Sequence, residues 1–89
     1  MALQIINAGP PPEEIAAKIE GAIALAMPEA ISEVRPVSPG HFEITVSDAG
    51  FAGLSRVKQQ QRVYGAISEL MAGPNPPVHA VDRLVCLVP

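Results

Sequence analysis

Two histidines are the side chains of this sequence best suited to bind a transition metal, because neutral imidazole is a common ligand of such metals. His79 lies between a proline-rich loop and an apolar run, and His41 opens a segment of alternating polarity. One imidazole alone does not make a metal site. The alternative for His79 is structural, with its ring bonded to a backbone carbonyl at the start of a strand. The alternative for His41 is that it caps a turn.

Cys86 is the single cysteine of the chain, so an internal disulfide is excluded. It lies in a run of apolar residues, where a thiol behaves as a small buried apolar group of low reactivity. Along an extended strand, Cys86 is about 23 Å from His79, which is too far for one metal centre. The sequence holds no nucleophile–histidine–carboxylate set and no phosphate-binding loop, so we do not expect an enzyme.

Arg56, Lys58 and Arg62 form the only concentration of basic residues. Near the start of a predicted helix they could hold phosphate or nucleic acid, meet an acidic surface of a partner protein, or form a solvated helical face. The formal net charge is −3. Because phosphate neutralisation supplies most of the affinity of nucleic-acid binders, this balance argues against a dedicated one.

Five segments have the patterns of regular secondary structure. Helical spacing of apolar residues predicts a helix over 12–27 and a second over 54–72, in which 54–58 could form a separate short helix. Residues 31–37 read as an edge or irregular strand because of Pro36, and 41–47 alternate strictly as a half-buried strand does. The nearly continuous apolar run 78–88 predicts a central strand.

These segments predict an α+β domain of two layers, with helices on one face of a three-stranded sheet. With 89 residues the chain can hold one core, which we place in residues 12–89 after a flexible tail over residues 1–11. We find no apolar run long enough for a membrane span and no secretory signal, so a cytoplasmic location is expected.

Two stretches of the chain resemble the BolA family. The first, FAGLSRVKQQQRVY over residues 51–64, contains an F-x-G motif, a valine, polar residues and then V-Y. The second is His79-Ala80-Val81, which matches the H-A-[LV] that opens the last strand in that family. The resemblance covers 15–89 and is closest to the bacterial IbaG-like subgroup, where S-R-V-K-x-Q-Q-x-V-Y also occurs.

The resemblance implies an α-β-β-α-(α)-β order similar to a class II KH fold. It implies that His79 is a ligand of a [2Fe–2S] cluster shared with a monothiol glutaredoxin and its glutathione. The family usually places a second ligand in the loop between the first two strands. Because residues 35–40 contain neither cysteine nor histidine, His41 is the candidate here. The implied role is iron–sulfur trafficking or iron and redox stress signalling, by a monomer or weak homodimer.

The chain departs from the family pattern in ways that keep other functions open. The last strand is one residue longer than in relatives, and we expect a bulge near Asp82–Arg83 because a one-residue slip would invert its faces. Gln59-Gln60-Gln61 stands where relatives discussed as DNA-binding have Arg-His-Arg. A helix-turn-helix-like transcriptional regulator and a metal-free protein-interaction module are therefore the alternatives. The G-x-x-G of residues 50–53 is interpreted as a turn.

Overall fold

The computed structural model describes residues 10–89, in which helices and strands follow the predicted order of helix, strand, strand, helix, strand. The elements are α1 (Pro12–Ala26), β1 (Ile31–Ser38), β2 (His41–Ser47), α2 (Arg56–Ala66) and β3 (Ala80–Leu87), with 3₁₀ turns at Ala49–Phe51 and Ser68–Met71. The predicted α+β class is confirmed. Most of the predicted flexible tail, residues 1–9, lies outside the described residues.

Helix α1 begins and ends where its sequence predicts. Pro12 occupies the first turn, where its missing N–H leaves no bond unmade, and Glu13 and Glu14 lie at the positive end of the helix dipole. Pro28 follows directly after Met27, whose backbone is no longer helical. The buried side of α1 packs over the sheet and consists of Ile15, Ala16, Ile19 and Ile23.

The sheet has the order β1-β2-β3, with β1 antiparallel and β3 parallel to β2. The alternation of β2 sends Phe42, Ile44 and Val46 into the core, and each is essentially inaccessible to solvent. Among residues 10–89, strand β3 lies at the edge of the sheet, so its predicted central position is wrong. The apolar run of β3 arises because both of its faces carry apolar residues. Val85 is an example on the open face, opposite the residues that face the helices.

The predicted bulge in β3 is confirmed. Phe42 is paired with Val81 and Glu43 with Arg83, so Asp82 is the additional residue. The extra residue restores the alternation beyond the bulge. It keeps two β3 side chains, Leu84 and Cys86, packed against the core.

The predicted helix over 54–72 is shorter in the structure. Helix α2 begins at Arg56, because the Ser55 side chain accepts a hydrogen bond from the Lys58 N–H at 3.2 Å. It ends at Ala66, and the chain continues as the 3₁₀ turn Ser68–Met71. The predicted short helix at 54–58 is wrong, since the separate turn lies earlier, at Ala49–Phe51.

The connection into α2 is held by polar and apolar contacts together. Phe51 is fully buried, and the Gln59 side-chain amide donates to the Phe51 carbonyl at 3.1 Å and to the Leu54 carbonyl at 3.3 Å. Gly53 follows with a φ of +80°, a conformation that glycine adopts without strain. The G-x-x-G segment is thus a turn, as predicted. Within residues 10–89 no helix has the length and apolarity to cross a bilayer.

We expect Ser55→Ala to lower the free energy of unfolding by about 1 kcal/mol, because the Lys58 N–H loses its acceptor. Chemical denaturation followed by circular dichroism measures this loss. Ser68→Ala is the matched control, since no side-chain cap bond is made at the start of its 3₁₀ turn. Equal effects of the two substitutions would show that the cap does not stabilise α2.

Candidate functional site

His79 is fixed at one end of the sheet by its backbone. The carbonyl of Gly40 accepts hydrogen bonds from the N–H groups of His79, at 2.8 Å, and Ala80, at 3.1 Å. The preceding residue, Val78, is fully buried and donates its N–H to the Leu70 carbonyl at 3.1 Å. The backbone of His79 is therefore held on one side by the buried Val78 and on the other by the Gly40 carbonyl, which accepts two hydrogen bonds. The His79 side chain itself is exposed.

The imidazole of His79 lies directly over Gly40. A Cβ atom added to Gly40 would be 2.6 Å from both Cγ and Nδ1 of the ring, and the φ of Gly40 is +77°. The position thus requires glycine for both space and backbone conformation. Within residues 10–89 the ring makes no hydrogen bond, so the structural alternative of a carbonyl-bonded ring gains no support there. The exposed ring can accept a metal through a nitrogen.

His79 borders a groove of about 740 Å³ between the start of α1 and the loops at this end of the sheet. The buried side chains of Ile15 and Phe42 lie at the base of the groove, and Lys18 contributes an ammonium group to its lining. Its walls are rich in prolines, which are Pro10, Pro11, Pro12, Pro39, Pro76 and Pro77. The sequence indicated the proline loop before His79. That the prolines before α1 line the same groove is visible only in the folded structure.

His41 faces the other side of the sheet. It belongs to the alternating set of β2 residues that points away from the helices, whereas His79 lines the groove on the helix side. Its Nδ1 lies 2.9 Å from Oδ1 of Asp82, the bulge residue. A carboxylate that binds one imidazole nitrogen orients the other, as it does for many metal ligands. This contact joins residues 41 positions apart in the sequence, so no local pattern could indicate it.

The two histidines therefore do not converge on one face, and His41 as a second cluster ligand stays a prediction. Among residues 10–89, no group of three or more histidine, cysteine, aspartate or glutamate side chains is arranged to hold a metal ion. A cluster bound at His79 would thus need most of its four ligands from a second molecule.

Cys86 lies on the helix side of β3, paired with Val46. It packs against the core but is only partly buried, because β3 lies at the edge of the sheet among the described residues. Burial nevertheless raises the pKa of the Cys86 thiol above its ordinary value. The thiol therefore stays protonated at neutral pH, which fits the predicted low reactivity.

The three predicted cations are exposed but do not share one face of α2. Lys58 and Arg62 are four residues apart and lie on one side, whereas Arg56 lies about 200° around the helix from Lys58. A Cβ atom at Gly50 would be 3.0 Å from a terminal nitrogen of Arg62 and 2.8 Å from a carboxylate oxygen of Asp48. The Arg62 guanidinium is thus directed toward the turn and its buried acid.

The segment before α2 is also short for a helix-turn-helix. The element that precedes the turn is the 3₁₀ segment Ala49–Phe51, which is a single turn. In a helix-turn-helix, a full first helix crosses the DNA backbone while the second enters the major groove. The geometry of residues 49–66 therefore gives weak support to the DNA-binding alternative.

A family model described as BolA-like protein matches residues 26–85, a span that includes both histidines and all three cations of α2. The chain belongs to the BolA-like family. No curated protein sequence matches it. The BolA-like membership confirms the predicted family. The IbaG-like subgroup stays a prediction.

Solved structures of BolA-like proteins have the same fold. The solution structure of mouse BolA1 is 26% identical with a TM-score of 0.69, covering 97% of this chain and 72% of that one. The BolA domain of SufE1 from Arabidopsis thaliana is 22% identical with a TM-score of 0.67, covering 96% of each chain. A bolA protein homologue from Coxiella burnetii is 19% identical with a TM-score of 0.61, covering 93% and 92%.

We expect Gly40→Ala to displace the His79 ring and to destabilise the fold more than Gly53→Ala. Both changes put a side chain at positive φ, at a backbone cost of about 1–2 kcal/mol. Only at Gly40 does the new Cβ also meet the ring, which adds about 1–3 kcal/mol, since nothing lies within 4 Å of a Cβ at Gly53. Thermal unfolding measures the difference, and NMR shifts of the His79 ring report its displacement. Equal destabilisation with an unmoved ring would contradict the contact.

Proposed function

We propose that this BolA-like protein is an adaptor for a monothiol glutaredoxin, with which it shares a [2Fe–2S] cluster through His79. The single observation that carries the proposal is the exposed imidazole held over Gly40 by the backbone bonds of His79 and Ala80. An adaptor of this kind serves iron–sulfur trafficking or iron and redox stress signalling in the cytoplasm and performs no catalysis of its own.

The donor set of the chain suits a shared cluster. A [2Fe–2S] cluster takes four ligands, and histidine in place of a thiolate raises its reduction potential. His79 would supply one nitrogen from a fixed position, and the glutaredoxin with its glutathione would supply thiolates. His41 would be a second nitrogen ligand only through Nε2, since its Nδ1 is bonded to Asp82.

The groove beside His79 supports a protein surface as the partner. Its proline-rich walls present rigid apolar surface that loses little conformational entropy on binding. Lys18 is the charged side chain on its lining, so a partner that presents a carboxylate there is favoured. The ligand and the docking surface would then form one continuous interface at this end of the sheet.

We expect His79→Ala to abolish the change that the wild-type protein causes in the visible circular dichroism of a cluster-loaded monothiol glutaredoxin. The physical reason is that the variant has no imidazole to replace a ligand of the cluster. His79→Cys should restore a change, but with a different spectrum, because a thiolate then takes the place of nitrogen. His41→Ala in the same assay measures whether the second histidine contributes.

Glutaredoxin binding is measured in parallel by calorimetry with and without the cluster. If the His79→Ala variant changes the spectrum as the wild type does, His79 is not the ligand. If glutaredoxin binding is indifferent both to His79 and to cluster loading, the protein is a metal-free interaction module. Unfolding curves of all three variants serve as the control, since His79 is exposed and its replacement should leave stability nearly unchanged.

We expect DNA binding by this chain to be weak and indifferent to sequence. The net charge is −3, and Arg56 is separated around α2 from Lys58 and Arg62. Fluorescence anisotropy with duplex DNA at several salt concentrations measures the number of phosphates neutralised. A steep salt dependence that disappears when Arg56, Lys58 and Arg62 are all changed to glutamine would favour the transcriptional regulator instead.

A further inference from the structure

The outer edge of β3 is an unpaired strand edge. Within residues 10–89, β3 is hydrogen-bonded to a neighbouring strand on one side only, that of β2. The opposite edge of the sheet, in β1, contains Pro36 and a register irregularity, features that discourage strand addition. Beyond its bulge at Asp82, β3 runs to Leu87 without a proline or a lysine, residues that often protect a strand edge. Because β3 pairs on one side only, the backbone N–H and C=O groups on its outer side are left to form new hydrogen bonds.

Helix α2 lies beside this edge and makes it a groove. Arg56, Gln59 and Gln60 are at positions i, i+3 and i+4 on one side of α2, and they face the last residues of β3 across a space of about 300 Å³. The strand contributes Leu84, Val85, Cys86 and Leu87 to the same groove. A strand edge with a helix along it is the arrangement in which domains bind an extended peptide by adding it to their sheet.

The groove carries one kind of charge. Of the described residues that line it, Arg56 alone has a charged side chain. The first turn of α2 contains no acidic residue, so the positive end of its dipole is not offset there. The Gln59 amide is used within the chain, which leaves Arg56 and Gln60 to meet an incoming group.

We propose that the β3 edge binds an extended segment of a partner protein as a fourth strand, with an acidic side chain of that segment directed at Arg56. Backbone hydrogen bonds to β3 would supply affinity, and the apolar floor formed by Leu84 and Cys86 would take small apolar side chains. An acidic segment fits better than a second copy of β3, because Asp82 and Arg83 give that strand no net charge.

The site is distinct from the proposed cluster site. His79 precedes the first residue of β3 and lines the other groove, whereas the edge groove is lined by Leu84, Val85, Cys86 and Leu87 in the last half of β3. A strand of this length spans about 25 Å, so the two sites can be tested independently. Loss of cluster binding in a His79→Ala variant should leave the edge site intact.

The probe is a pair of capped synthetic peptides, Val-Thr-Glu-Thr-Val and Val-Thr-Lys-Thr-Val, titrated into the ¹⁵N-labelled protein; the valines and the central charged residue share one face of an extended strand. We expect the glutamate peptide to shift the amide signals of β3 and to bind about tenfold more tightly than the lysine peptide. Arg56→Glu should reverse the preference. Lys58→Glu is the matched control, because it makes the same charge change on a side of α2 that faces away from the groove, and it should keep the preference.

Cys86, as the only cysteine, gives a second readout. The bound glutamate peptide should slow its alkylation and protect outer β3 amides from hydrogen exchange. Absence of protection, or equal affinity of the two peptides, would overturn the proposal. Concentration-dependent association of the protein that protects β3 without any peptide would overturn it too, by assigning the edge to a second copy.

Discussion

The arrangement of the end of the sheet that contains His79 depends on one hydrogen-bond acceptor, the carbonyl of Gly40. It binds the N–H groups of both His79 and Ala80, so it starts the pairing of β3 with β2 and fixes the residue just before that pairing. The same glycine leaves the space that the imidazole fills. The position of a candidate ligand and the parallel register of the sheet are therefore set by one residue, which only glycine can occupy without strain.

The bulge at Asp82 links that register to the chemistry of the second histidine. By taking up one extra residue it keeps Leu84 and Cys86 toward the core. It also brings a carboxylate to the His41 ring. The bulge thus serves packing and orients a side chain at the same time, as bulges beside functional sites often do.

The sequence predicted the elements that have strong local signals. The alternation of polarity in 41–47 and the apolar stripe of α1 each show which face of the element is buried. The bounds of both elements were predicted to within a residue. The position of β3 at an edge was not, because an apolar run does not show how many strands lie beside it. The faces of His41 and His79 also depend on the turn at Gly40 and on the bulge, which are tertiary features. Helix α2 ends at Ala66, and the next residue, Ile67, is buried with a non-helical backbone. Helix propensity alone does not resolve such an end.

A domain with two layers leaves one sheet face and two sheet edges exposed. In this chain these three surfaces differ in the residues that they present. The β1 edge is interrupted by Pro36, and the open face carries an ion pair between Arg35 and Glu43. The second half of the β3 edge, residues 84–87, contains no proline and no charged residue. Because an unprotected apolar edge promotes aggregation, covering that edge with a bound segment would stabilise the chain against it. An edge that begins next to an exposed imidazole and shares a groove with Arg56, which has no ion-pair partner among residues 10–89, is therefore better explained as a binding surface than as a packing defect.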